Sequence, residues 1–185
     1  AQRLNVFQHA ADIWGSILTS PIVITMEANF DPQFCTATSA VLGSAGPNDV
    51  FIDFAGAELA NTWYAVALAN AMAAVDLAPT ANDIGITFNS DVDNPTCLGT
   101  RSWYYGYDGN EGTDIELVPV VLHEVGHGLG FLTLVNESDG TEFFGSPDVY
   151  ERFMFDITTG KHWDEMTDGE RAASAINNGN LVWDG

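Results

Sequence analysis

The sequence predicts a mixed α+β domain, and three observations carry that prediction. Apolar residues recur at helical spacing over residues 1–18, short strand-like runs cover residues 22–30, 50–54 and 83–89, and an Ala-rich helical stretch lies at residues 62–75. A further helix follows, carrying two histidines four residues apart. The order helix, strand, strand, helix, strand, helix describes a twisted mixed sheet with an active helix packed beneath it.

Each element has its own signal. In residues 1–18, Leu4, Phe7, Ala11, Trp14 and Leu18 fall at three- and four-residue intervals, which predicts an amphipathic helix ended by Ser20-Pro21. Residues 22–30 partly alternate apolar and polar side chains, as a strand does. Residues 43–48 are Gly-, Ser- and Pro-rich and predict a turn. The helix at 62–75 stops before Pro79. Residues 90–110 read as loop, with Asp91, Asp93 and Asn94 as oxygen ligands for a Ca2+ ion in one reading and an ordinary polar turn in the other. Thr113 and Glu116 match a capping box, and Pro119 offers an alternative helix start. Gly128 and Gly130 predict the end of that helix. Residues 131–161 read as loop-rich, with short ordered pieces near 150–156. A last helix, at residues 167–176, is capped by Thr167 with Glu170 three positions on, and residues 181–185 read as strand-like. The whole is expected to form one domain over residues 1–185, with sub-domains at about 1–130 and 131–185.

Composition narrows the partners. Against 26 acidic residues stand 5 basic ones, a net charge of −21, so a phosphate backbone would be repelled and no nucleic-acid partner is expected. No apolar run is long enough for a membrane span. The chain starts at Ala1 rather than Met, which predicts a processed product. Cys35 and Cys97 belong to no Cys-x-x-Cys motif and would pair in a secreted, extracellular protein, or stay free thiols in a cytosolic one.

The chemistry is concentrated in His123-Glu124-Val125-Gly126-His127. On a helix, positions i and i+4 share a face, so two imidazoles can grip one zinc ion. Glu124 between them can serve as general base toward a water at the metal. A catalytic zinc takes three protein ligands, so one more is required.

Extended to Gly128-Leu129-Gly130, the motif resembles the opening of the metzincin metallopeptidase signature. In that family's short form the third ligand lies three residues after the glycine, where this chain has Thr133, a poor zinc ligand. The leishmanolysin-like branch is similar here: an insertion follows the Gly-Phe step, and the third histidine comes later in a His-Trp pair. Gly130-Phe131 and His162-Trp163 match that pattern. The resemblance therefore implies His162 as third ligand, with Glu151, Asp156, Asp148 and Glu137 as carboxylate alternatives. It also implies a methionine turn beneath the metal, for which Met166 is the candidate and Met154 the alternative, although the family leaves more residues before its methionine. A tyrosine assisting the oxyanion is another family trait, open here to Tyr150, Tyr104, Tyr105 or Tyr107. His9, on the first helix, is left as a surface or packing residue.

The expected function is that of a monomeric zinc endopeptidase acting on protein or peptide substrates. Two other readings stand beside it. A peptide deformylase would use Cys97 as a ligand, and a secreted binding or adhesion module would hold zinc without turnover.

Overall fold

The computed structural model describes residues 2–185, and within them the chain is mixed α+β. Helix α1 spans Gln2–Ile17, matching the expected first helix; Ala1 lies outside the described residues. Its buried face differs from the expected stripe. Val6 and Ala10 are fully buried, with Phe7 and Trp14 packed beside them, whereas Leu4 is 70% exposed. Strands β1 (Met26–Asp31), β2 (Gly43–Pro47) and β3 (Val50–Ile52) come next, followed by β4 (Trp63–Ala65) and helix α2 (Val66–Ala73). Strand β5 (Ile84–Asn89) completes the main sheet.

Two readings are corrected in this half. Residues 43–47, expected as a turn, form β2, because β5 offers an unfilled edge and small residues fit the antiparallel register from Gly43 opposite Phe88 to Pro47 opposite Ile84. The first turn of the helix expected at residues 62–75 is instead β4, where Trp63 and Tyr64 pair with β3. Aromatic residues packed on a pleated surface, Tyr64 fully buried among them, favour that outcome over helix propensity.

In the three-stranded sheet β5 is central, with β1 parallel to it on one side and β2 antiparallel on the other. Ile84, Ile86 and Phe88 alternate on one face of β5 and are buried against α1 and the next helix. After strands β6 (Trp103–Tyr104) and β7 (Ile115–Glu116), which pair in parallel, helix α3 runs Leu117–Leu129. It starts neither at a Thr113 cap nor at Pro119. Residues 115–116 are drawn into β7, and Pro119 sits in the first helical turn, where its missing N–H has no intrahelical partner to lose. Gly128 lies inside the helix, while Gly130 alone caps it, with φ +116° and its N–H facing the carbonyls of Gly126 and His127.

The remainder builds a second, smaller core. Strands β8 (Met154–Asp156), β9 (Lys161–His162) and β10 (Leu181–Trp183) make an antiparallel sheet with β8 central, and helix α4 spans Asp168–Ala175. The capping box on α4 forms as its sequence predicts, with Thr167 and Glu170 bonding reciprocally. Val135, Met154, Trp163 and Met166 are the buried residues of this core. Beside it, the buried Arg171 donates to the carbonyls of Gly140, Trp163 and Met166 and meets Glu142, Asp168 and Glu151.

Cys35 and Cys97 form a disulfide joining the segment before β2 to the loop after β5, at a sequence separation of 62. A loop of that length contributes about 4 kcal/mol on the chain-entropy model. No helix among the described residues is long and apolar enough to cross a membrane.

Candidate metal centre

Helix α3 carries His123, Glu124 and His127 to one side of the main sheet. The two imidazoles meet edge to face, with their Nε2 atoms 3.0 Å apart. Two nitrogens bound to one tetrahedral zinc stand roughly 3.3 Å apart, given bonds of about 2.0–2.1 Å. The pair is therefore within a few tenths of an ångström of a two-ligand seat.

The tautomer of His127 is set by the helix end. Its Nδ1–H donates to the carbonyl of Phe131 at 2.9 Å, leaving Nε2 with a free lone pair for a metal. That carbonyl is in place because Gly130 takes up the left-handed conformation and turns the chain back under the ring.

Glu124 is buried, 5% exposed, on the flank of the helix that faces β2. Burial pushes its carboxyl above the usual range, while His123 and His127 pull in the opposite direction. The surrounding cleft has two arms that meet at His123. One is lined by Val41, Leu42, Gly43, Pro119, Val120 and Glu124. The other is lined by Trp14, Leu122, Gly126, His127, Phe131 and Tyr150. On the first arm β2 pairs, among the described residues, with β5 alone and is the edge of its sheet.

The structure does not bring His162 to this pair. His162 sits on β9, where its Nε2 lies 3.1 Å from the carboxylate of Asp184 and its ring packs near Phe155. Its backbone N–H donates to Glu165. Among the described residues no group of three or more His, Cys, Asp or Glu side chains is gathered around a common point.

The carboxylate alternatives are engaged elsewhere, apart from Glu137, which is exposed on the surface. Asp148 accepts from Thr133, from the backbone N–H of Leu134 and from that of Glu151. Asp156 accepts from Ser174 and from the N–H groups of Thr158 and Thr159, which hold its carboxyl below the usual range, the serine bond most strongly. Glu151 is fully buried near Arg171, and its Oε1 has no hydrogen-bond partner among the described residues. Burial first, then Asp148 and Glu142, push its carboxyl up to about 7.

Other expectations resolve locally. Met166 packs in the second core with Trp163 and Met154. Of the four tyrosines, Tyr150 alone lines the histidine cleft; Tyr104 bonds Asp108, Tyr105 bonds Asp93, and Tyr107 stacks on His9. In the acidic loop both oxygens of Asp93 are occupied, by the N–H of Trp103 and the hydroxyl of Tyr105. Cys97 is bonded to Cys35 and so has no thiolate to offer a metal.

Sequence reasoning missed Gly43 and the aromatic wall of Trp14, Phe131 and Tyr150. Phe131 also lines an apolar cavity of about 270 Å³ beyond the helix end. The aromatic wall had no local signature, because its members come from α1, the turn after α3 and the second core. Comparison with protein-family models, with curated proteins and with solved structures found no match to this chain.

Proposed function

We propose that this chain is a zinc-dependent endopeptidase of metzincin type. The observation that carries the reading is the pair of Nε2 atoms 3.0 Å apart on the helix that also holds the buried Glu124. His123 and His127 would hold the ion, with His127 oriented by Phe131. The described residues supply two of the three protein ligands such a site takes. When bound, zinc supplies Lewis acidity toward a peptide carbonyl and acidifies water.

The chain's own residues then account for the rest. Glu124, desolvated and raised in pKa, is suited to accept a proton from the attacking water and return it to the leaving amine. The outer edge of β2 offers backbone groups to an extended peptide passing Glu124, in the manner of strand addition. A disulfide joining the two cysteines supports a secreted, extracellular protein. The test is casein or peptide hydrolysis with chelator and zinc add-back. Glu124→Gln should retain zinc and lose about 10²–10⁴-fold in kcat. Full turnover by that variant would remove Glu124 from the mechanism, and absence of cleavage by zinc-loaded wild type would favour the non-enzymatic binding module.

A further inference from the structure

Glu124 is held in an unusual way for a group expected to move protons. Among the described residues no hydrogen-bond donor reaches its carboxylate; its surroundings act on it through burial and through His123 and His127. Its position is therefore set by packing. One surface it packs against is Gly43, at the start of the edge strand.

A Cβ added at Gly43 would stand 3.0 Å from Oε1, 3.1 Å from Cγ and 3.2 Å from Cδ of Glu124. All three distances are inside ordinary van der Waals contact. Because Cγ and Cδ are crowded along with the oxygen, rotating the tip of the side chain does not relieve the contact. The carboxyl-bearing arm has to give by a few tenths of an ångström. Gly43 cannot easily retreat either, since β2 is registered on the central strand, with Gly43 opposite Phe88. Phe88 is fully buried.

We propose that Gly43 is a positioning residue for Glu124, and that the absence of a side chain there fixes where the general base stands relative to the histidine pair. This rests on the peptidase reading given above. It assigns to the edge strand a role distinct from binding a peptide: the strand gauges the approach of the base.

The experiment compares wild type with Gly43→Ala in zinc content, kcat, KM and crystal structure. Zinc stoichiometry should be unchanged, because the three atoms nearest the new methyl all belong to Glu124 and none to His123 or His127. The kcat should fall about 3- to 10-fold with KM within about twofold, as for a slightly displaced but intact catalytic group. Crystal structures should show the Glu124 carboxylate displaced in the variant.

Glu124→Asp retracts the carboxylate by one methylene and should cost less in the Gly43→Ala background than in wild type. Gly46→Ala, on the same strand with nothing within 4 Å of its added Cβ, controls for strand tolerance through its melting temperature. A wild-type kcat in Gly43→Ala, an unmoved carboxylate, or strictly additive effects in the double variant would each overturn the proposal. If zinc-loaded wild type cleaves no peptide, the peptidase reading fails, and the two crystal structures still decide whether Gly43 seats Glu124.

Discussion

Gly126 and Gly128 look alike in the sequence, each beside a histidine of the motif, yet the structure assigns them opposite responses to the same substitution. A Cβ at Gly126 meets only Cζ2 of Trp14, at 3.6 Å, an ordinary contact. Replacing a mid-helix glycine by alanine there should stabilise the fold by about 0.5–1 kcal/mol through the lost freedom of the unfolded chain. At Gly128 the added atom would stand 2.8 Å from both Cδ1 and Cγ1 of Ile84, and closer still to Cγ2. Ile84 is fully buried on the central strand, hydrogen-bonded on both sides, so neither its branched side chain nor the strand has room to withdraw. Overpacking of this kind costs about 1–3 kcal/mol. Set against a helix-propensity gain of about 1 kcal/mol, this leaves a net loss of up to about 2 kcal/mol. For a chain of this size, 1 kcal/mol moves the melting temperature by about 2–4 °C. Gly126→Ala should therefore melt a few degrees above wild type and Gly128→Ala a few degrees below. Urea denaturation followed by tryptophan fluorescence, with the disulfide intact, gives the free energies directly. Equal stability of the two variants would refute the close approach of α3 to β5.

Two further outcomes follow from the site and its neighbourhood. Because His162 is engaged by Asp184 and Glu165, His162→Ala should leave zinc stoichiometry near wild type, whereas His123→Ala should abolish tight binding; equilibrium dialysis distinguishes them, and loss of zinc in His162→Ala would refute the arrangement. Glu151, raised from 4.5 to about 7, binds its proton more tightly folded than unfolded, so its contribution to stability is complete below about pH 4.5 and is lost as pH rises through 7. Glu151→Gln should flatten the decline of stability between pH 5 and 8, measured by denaturant titration at each pH; an unchanged slope would show that Glu151 is not the responsible group.

Signals confined to one turn of chain were legible in the sequence. Thr167 and Glu170 specify the start of α4 because both halves of the capping box lie within four residues. His123, Glu124 and His127 share a helix, so their geometry follows from the helical repeat alone. What failed depended on distant partners. Residues 43–47 have turn composition and become a strand only because β5, some forty residues later, needs a neighbour. Thr113 and Glu116 satisfy a capping pattern, but Ile115 and Glu116 are claimed by β6 instead. His162 carries no local mark of its partner, which lies 22 residues further on at Asp184. Gly43 was invisible for the same reason: its relation to Glu124 exists only once sheet and helix are packed.

The bond from His127 to the Phe131 carbonyl has a consequence for how the metal seat tolerates change. The same few atoms of main chain close the helix and hold the ring, so were zinc bound as proposed, the electron-donating power of His127 would be governed by a turn outside the ligand set. A side chain at Gly130, where φ is +116°, would strain that turn and swing the carbonyl away from Nδ1. The imidazole would then be free to rotate and to exchange its tautomer. In the proposed zinc site, the orientation of one ligand would thus be partly a property of backbone shape, inherited through a glycine that ligand chemistry alone would overlook.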